Sequence, residues 1–177
     1  MTHDELGRAL REHAYLEGDF VLRSGKRSRY YLDKYRFETR PELLEALGAR
    51  IAETVAEVEP GAARLAGPEL GAVALAAAAS LASRLPFLIV RKEAKGYGTG
   101  NRLEGVFEPG ETVCLVEDVV TSGGALRESC RQLRAIGAHV ELAICAIDRG
   151  EGGAENLAAE GLPLRCALSR RDLEANA

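Results

Sequence analysis

From Pro41 onward, short apolar runs alternate with longer segments that have helical periodicity. Runs with the length and composition of buried strands lie at 64–66, 87–90, 113–116 and 140–147. Helical segments lie at 41–55, 72–84 and 125–136. Strands that alternate with helices are typical of a parallel sheet covered on both faces. The sequence therefore predicts an α/β fold with a mostly parallel central sheet flanked by helices.

The N-terminal residues are less regular. Thr2 and Glu5 form a capping-box pattern at the start of a helical apolar stripe. Short strands are predicted at 20–22 and 30–32, on either side of a basic Gly/Ser turn. We expect residues 1–40 to form a small hood or cap on the sheet. With 177 residues and no visible linker or repeat, we expect a single domain over residues 1–177.

Charge and hydropathy narrow the possible partners. The formal net charge is -4, so no global field attracts nucleic acid or anionic lipid. The Ala-rich stretch that ends at Leu85 is too short to cross a membrane, and Arg84 interrupts it. The cysteines are widely spaced and the polar N-terminal residues lack a signal-peptide core. We therefore expect a cytoplasmic protein with no nucleic-acid or membrane partner.

The segment 113–124, VCLVEDVVTSGG, carries the most chemical information. An apolar strand leads into Glu117 and Asp118, and a small hydroxyl and glycine turn then enters a helix. Backbone N–H groups at such a helix start can bind phosphate, and the adjacent carboxylates can hold sugar hydroxyls and stabilise a positive charge. A plain strand end with a capped helix is the alternative. Two adjacent carboxylates disfavour it, because charge placed there needs a partner.

This segment resembles the phosphoribosyl-diphosphate signature of the type I phosphoribosyltransferases. Further segments, which narrow the resemblance to orotate phosphoribosyltransferases, are 22–31, 67–71, 91–100 (RKEAKGYGTG) and 146–149 followed by Gly152 and Gly153. They cover nearly the whole chain in the family's order, and the RKEAK loop is the part that points to orotate. The resemblance implies the type I phosphoribosyltransferase fold. It also implies transfer of the 5-phosphoribosyl group from 5-phosphoribosyl 1-diphosphate to orotate, giving orotidine 5'-phosphate and diphosphate in pyrimidine nucleotide biosynthesis.

The resemblance also assigns roles to residues. The candidate catalytic residues are Lys95, Glu117 and Asp118. Candidates for binding the donor and its phosphates are Arg23, Arg91, Lys92, Tyr97, Val119, Val120, Thr121, Ser122, Gly123, Gly124 and Ala125. Candidates for binding orotate are Tyr30, Tyr31, Thr121 and Arg149. It further implies Mg²⁺ held through the donor and water with no direct protein ligand, and a homodimer in which Lys95 reaches the neighbouring subunit's site.

Some positions depart from the family pattern or keep a second interpretation. Tyr97 stands where the family often has His, so a cationic contribution there is lost. Loop 67–71 carries Glu69 where some members have Lys, and it would have to act through its backbone. Lys26 also fits a charged hairpin, and Arg149 also fits a surface arginine in a polar turn.

Three other functions compete with orotate transfer. A phosphoribosyltransferase for another base would share the core and differ only in the base-contacting residues. A non-catalytic regulator that senses the donor would need a nucleic-acid-binding surface, which the sequence does not suggest. A generic dinucleotide-binding domain is disfavoured because no GxGxxG follows the first strand.

Overall fold

The computed structural model describes residues 1–21, 25, 27–92 and 102–175. The strands are β1 (Tyr15–Val21), β2 (Arg27–Leu32), β3 (Arg64–Pro68), β4 (Phe87–Val90), β5 (Leu103–Glu104), β6 (Thr112–Val120), β7 (His139–Asp148) and β8 (Leu164–Ser169). The helices are α1 (His3–Ala14), α2 (Tyr35–Glu38), α3 (Pro41–Val58), α4 (Ala72–Ser83), α5 (Gly124–Ala135), α6 (Gly153–Ala158) and α7 (Arg170–Ala175).

Strands β3 to β8 form one sheet in the order β5-β4-β3-β6-β7-β8. The pairs from β4 through β8 are parallel, and β5 runs antiparallel to β4 at the edge. The mostly parallel sheet confirms the prediction from the alternating pattern. Strand β4 lies on one side of the β3–β6 pair and β7 on the other, so the direction of winding reverses there. At such a switch point the carboxyl ends of two adjacent strands leave a crevice in which ligands bind.

Strand β6 shows how helices cover both faces of the sheet. Cys114 and Val116 belong to a hydrophobic cluster with buried residues of α3 and α4. Val113 and Leu115, which point to the opposite face, belong to a second cluster with buried residues of α5. Burial on both faces explains why this strand is a continuous apolar run rather than an alternating one.

Strands β1 and β2 form a separate antiparallel hairpin at the N-terminal end. Helix α1 begins with the predicted capping box, in which Thr2 and Glu5 bond each other's backbone N–H groups. Leu6 and Leu10 of this helix are buried in the same cluster as α3, so the N-terminal segment packs on the core. The hood over residues 1–40 and the single domain over 1–177 stay predictions.

The structure contains elements that the pattern did not predict: α2, β5, α6, β8 and α7. Most of them are short, and a window of four to six residues carries little periodicity. Strand β6 is longer than the predicted run and includes Glu117 and Asp118, because it pairs with β7 as far as Val120 and Asp148. Among the helices described here, none is long and apolar enough to span a membrane.

Candidate active site

A cleft of about 370 Å³ lies at the switch point between β3 and β6. Its lining residues are Lys34, Tyr35, Pro68, Glu69, Leu70, Gly71, Val90, Arg91, Lys92, Glu117, Asp118, Val119, Ala125, Glu128, Ser129 and Gln132. A larger cleft of about 530 Å³ shares Val90 and Gln132 with it but is lined mainly by apolar side chains. Charged groups that could perform chemistry converge in the smaller cleft, so that cleft is the candidate active site.

Glu117 and Asp118 lie near the carboxyl end of β6, and as whole residues they are only 8% and 4% exposed. Glu117 Oε1 accepts the Asp118 N–H at 3.0 Å, and Asp118 Oδ1 accepts the Val119 N–H at 2.5 Å. Burial, with the nearby Asp118 charge, raises the pKa of Glu117 above its ordinary value. Two buried carboxyls at this spacing favour a ligand that brings hydroxyl donors or positive charge.

Lys34 supplies a cation that the sequence interpretation missed. Its ammonium Nζ lies 2.5 Å from Asp118 Oδ2, although the two residues are 84 positions apart. Burial lowers the pKa of Lys34, but the hydrogen bond to Asp118 and the charges of Asp118 and Glu38 outweigh this and leave the pKa raised. A buried carboxylate needs a partner that offsets its charge, so a cation beside Asp118 is expected. Nothing in the sequence could identify it, because Lys34 precedes the unpredicted helix α2.

Glu38, at the end of α2, was also not predicted to belong to the site. Its side chain is buried, and Oε1 has no hydrogen-bond partner among residues 1–21, 25, 27–92 and 102–175. Burial, followed by the charge of Asp118, raises the pKa of Glu38 to about 7. Lys34 thus lies among carboxyl groups from two elements, Asp118 of β6 and Glu38 of α2.

The predicted phosphate turn connects β6 to α5. Thr121, Ser122, Gly124 and Ala125 are exposed there, so their backbone and hydroxyl groups are accessible to a ligand. Gly123 has φ of 78°, a left-handed conformation that glycine adopts without a steric penalty. The first turn of the described helix α5 contains no acidic side chain, which leaves the positive end of its dipole free for an anion.

Helix α6 holds this turn in place, another feature that the sequence interpretation missed. Asn156 Nδ2 donates to the Ser122 carbonyl at 3.1 Å. A Cβ at Gly153 would lie 2.5 Å from the Thr121 carbonyl oxygen, and a Cβ at Gly123 would lie 2.9 Å from Leu157. The family resemblance identifies Gly152 and Gly153 only as part of a turn. The structure shows that Gly153 permits close packing of α6 against the turn.

Val119 and Val120 follow Asp118 on β6 and differ in exposure. Val119 is half-buried and lines the cleft, whereas Val120 is buried. The Val120 carbonyl accepts the Arg149 N–H at 3.0 Å. Val120 therefore links the phosphate turn to the end of β7 rather than presenting its side chain to a ligand.

Arg91 and Lys92 follow β4 and begin the basic loop. Arg91 pairs with Glu104 at 3.6 Å and lies 4.0 Å from Glu69, and the Lys92 N–H donates to Glu69 Oε1 at 2.8 Å. The Glu69–Leu70 peptide bond is cis. Glu69 thus contacts the start of the basic loop through its side chain, a role that its place in loop 67–71 did not suggest.

Arg149 and Tyr30 meet at the end of β7. The Arg149 side chain is 11% exposed; its Nη2 donates to the Tyr30 hydroxyl at 3.1 Å and pairs with Glu151 at 3.0 Å. Its buried Nε has no hydrogen-bond partner within the described part of the chain. Tyr30 stacks on Tyr15 with ring centroids 4.9 Å apart, so it is held in place. Arg149 is therefore not the plain surface arginine of the alternative interpretation.

Tyr31, the other member of the aromatic pair, is exposed and packs at a tilt against Phe20. Arg23, Lys95 and Tyr97 were predicted site residues, and Lys26 was a possible one. All of them lie outside the described residues. The structure thus brings Glu117, Asp118, Val119, Ala125, Arg91 and Lys92 to one cleft, with Thr121–Gly124 next to it and Arg149 with Tyr30 beside Val120.

Comparison with known proteins identifies relatives along nearly the whole chain. No family model matches it. The orotate phosphoribosyltransferase of Methanocella arvoryzae is 46% identical over 156 residues, which are 88% of this chain and 87% of that protein. The orotate phosphoribosyltransferase of Natronomonas pharaonis is 42% identical over 177 residues, 99% of each chain.

Solved structures agree with these relatives. The orotate phosphoribosyltransferase of Aeropyrum pernix superposes with a TM-score of 0.85 at 33% identity, covering 96% of this chain and 97% of that one. The enzyme of Mycobacterium tuberculosis in complex with 5-phospho-alpha-D-ribosyl 1-diphosphate superposes with a TM-score of 0.82 at 28% identity, covering 97% and 98%. Sequence identity, coverage and fold together show that this chain belongs to the orotate phosphoribosyltransferase family.

Proposed function

We propose that this protein transfers the 5-phosphoribosyl group from 5-phosphoribosyl 1-diphosphate to orotate, yielding orotidine 5'-phosphate and diphosphate. The observation that carries the proposal is the buried Glu117–Asp118 pair beside an exposed phosphate turn, at the switch point of a parallel sheet. Support comes from relatives that bear this activity as their name, and from a similar structure that contains the donor.

In the proposed mechanism the turn Thr121–Ala125 binds the 5-phosphate through backbone N–H groups and hydroxyls. Glu117 and Asp118 hold the ribose hydroxyls. As diphosphate leaves the anomeric carbon, the sugar acquires oxocarbenium character, and the carboxylates stabilise the developing positive charge. The base nitrogen bonds to the same carbon and its proton passes to the departing diphosphate or to water, so no covalent enzyme intermediate is required.

The site also fits Mg²⁺ bound through the donor rather than through direct protein ligands. Asp118 Oδ1 already accepts the Val119 N–H and Oδ2 accepts Lys34, so these oxygens are committed within the protein. When bound, Mg²⁺ would neutralise negative charge on the diphosphate group, in keeping with its preference for phosphates and few carboxylates. Glu117 and Asp118 would contact its waters.

Base choice is proposed to depend on Arg149. A guanidinium fork suits a carboxylate, and Tyr30 and Glu151 hold the Arg149 guanidinium at the end of β7. Tyr30 orients the guanidinium through its hydroxyl and so acts through Arg149. Tyr31 is exposed and available to the ring of the base. Orotate would then enter between Arg149 and the sugar site.

Further parts of the proposal rest on the family resemblance. Lys95, with Arg91 and Lys92 on the same loop, would approach the leaving diphosphate, Lys95 from the neighbouring subunit of a homodimer. Arg23 would contact the donor, and Tyr97 would donate a hydrogen bond. We also propose a single domain with an N-terminal hood and a cytoplasmic location for the enzyme.

The experiment that tests this function follows the loss of orotate absorbance with the diphosphate donor and Mg²⁺. Parallel reactions replace orotate by uracil, hypoxanthine or adenine. We expect turnover with orotate, and we expect the Asp118→Asn variant to serve as the inactive control. Turnover with another base and none with orotate would show that the protein is a phosphoribosyltransferase for that other base. Donor binding without turnover of any base would indicate a sensor.

A further inference from the structure

Loop 67–71 lies beside the buried carboxylates but has no cationic side chain of its own. Its one charged residue, Glu69, is an anion whose carboxylate faces Arg91 and the Lys92 N–H. A diphosphate group that entered between this loop and β6 would therefore meet Glu69 and Asp118. An anion that carries several charges needs cations at its oxygens, and the loop backbone supplies only N–H dipoles.

Lys34 lies beside loop 67–71 and can supply the positive charge that the side chains of this loop lack. Its ammonium contacts Asp118 and lies over the backbone of Gly71, where a Cβ would overlap both Lys34 Nζ and Asp118 Oδ2. Gly71 is the residue that precedes helix α4, so the ammonium and the helix start face the same space. Glycine at this position allows the two charged groups to approach the loop.

The Lys34 ammonium also has capacity to bind a ligand. It carries three N–H donors, and Asp118 is the hydrogen-bond acceptor that the structure records for it. The side chain is 34% exposed, whereas that of Asp118 is 6% exposed, so the ammonium lies on the open side of the carboxylate. The other cations among the described cleft residues are Arg91, which lies 4.0 Å from Glu69, and Lys92, whose N–H donates to Glu69.

We propose that Lys34 is a donor-binding residue whose ammonium bridges Asp118 and a diphosphate oxygen, and so supplies the cation that loop 67–71 lacks. This inference rests on the proposed function, since it takes the sugar diphosphate as the ligand. It gives the lysine two partners: the leaving diphosphate, whose charge it offsets, and the carboxylate that faces the ribose. The bridge would hold these two parts of the donor at a constant separation.

The test measures binding of inorganic diphosphate with Mg²⁺ by calorimetry, without orotate, and binding of ribose 5-phosphate in parallel. Lys34→Gln should weaken diphosphate binding about tenfold to a hundredfold, as expected for loss of a hydrogen bond between charged groups. Ribose 5-phosphate, held by the turn Thr121–Ala125, should keep its affinity within about threefold, a shift of less than about 1 kcal/mol. Arg36→Ala removes an exposed cation two positions along the chain, on the adjoining helix α2, and is the control.

A second pair of variants separates direct binding from neutralisation of Asp118. In an Asp118→Asn background the group that hydrogen-bonds the Lys34 ammonium is already neutral, so Lys34→Gln should still weaken diphosphate binding at least about fivefold, or about 1 kcal/mol. Diphosphate affinity unchanged in that background would overturn the proposal, because the lysine would then only neutralise the aspartate. Equal loss of both ligands in Lys34→Gln would overturn it too, because the lysine would then only maintain the site's structure.

Lys34→Arg retains the charge and should recover part of the diphosphate affinity, which also covers the case in which the glutamine variant folds poorly. The outcome for the proposed function is separate. If the wild-type protein binds diphosphate through Lys34 but does not consume orotate, the choice of base is wrong and the role of Lys34 stands. If orotate is consumed normally by Lys34→Gln at low donor concentration, the role of Lys34 is wrong and the function stands.

Discussion

The buried carboxyl of Glu38 should make this protein less stable as pH rises through the neutral range. Its pKa is raised from 4.5 to about 7, first by burial and then by the charge of Asp118. Between these two values the folded protein retains a proton that the unfolded chain has lost. Because the folded state then binds more protons than the unfolded state, the free energy of unfolding falls as pH increases.

The size of the effect follows from the shift. Each pKa unit corresponds to about 1.4 kcal/mol, so a shift from 4.5 to about 7 amounts to about 3 kcal/mol once the pH exceeds the folded value. Glu38→Gln replaces the carboxyl by a neutral group of the same shape. The variant should match the wild type within about 1 kcal/mol near pH 4.5, where the glutamate is protonated in the fold. It should be about 3 kcal/mol more stable at about pH 8.

Urea unfolding at a series of pH values measures this difference directly. Glu57→Gln, a change at an exposed position on α3, is the control and should alter stability by less than about 0.5 kcal/mol at every pH. If the difference between Glu38→Gln and the wild type is the same at low and high pH, Glu38 does not titrate in this range. The reasoning from burial would then be refuted.

Other variants test the proposed site. Asp118→Asn and Glu117→Gln should each reduce turnover at least about a hundredfold while thermal unfolding stays cooperative, and full activity in the double variant would remove both from the mechanism. Arg149→Ala should weaken orotate use by about 2–3 kcal/mol in kcat/KM with much less effect on donor binding; an unchanged preference for orotate over uracil would place specificity elsewhere. Gly71→Ala would direct a Cβ into the Asp118 carboxylate, so the KM for the donor should rise. Expressed as a free energy, this rise in KM should exceed the loss in the free energy of unfolding. Mixing inactive Lys95→Ala and Asp118→Asn chains should restore activity if sites are shared, and verified mixed dimers without recovery would argue for separate sites.

Much of the site could be predicted from sequence because its signals are local. The glycine turn at 121–124, the carboxylates Glu117 and Asp118 and the apolar strand before them occupy consecutive positions. A strand that enters a helix places such residues together whatever the rest of the chain does. Arg91 and Lys92, candidates from the family resemblance, follow β4 directly, and the structure places them in the same cleft.

Contacts between distant elements could not be predicted in this way. The bond from Lys34 to Asp118 joins residues 84 positions apart, and the bond from Arg149 to Tyr30 joins residues 119 apart. The stack of Tyr30 on Tyr15 depends on the register of the β1–β2 hairpin. A charged residue in a four-residue helix has no periodicity to mark it as functional, so α2 contributed no signal.

The sequence by itself determined the alternating order of strands and helices, and with it the parallel sheet, because hydrophobic periodicity is a property of each segment alone. It also determined the carboxylate pair and the phosphate turn, because their residues lie in one continuous segment of the chain. Only the tertiary structure decided how the carboxylates are neutralised. Packing of the N-terminal segment on the core places Lys34 and Glu38 beside Asp118, and the burial that results sets their pKa values. Burial and pairing are properties of the assembled fold, so no single segment could have specified them.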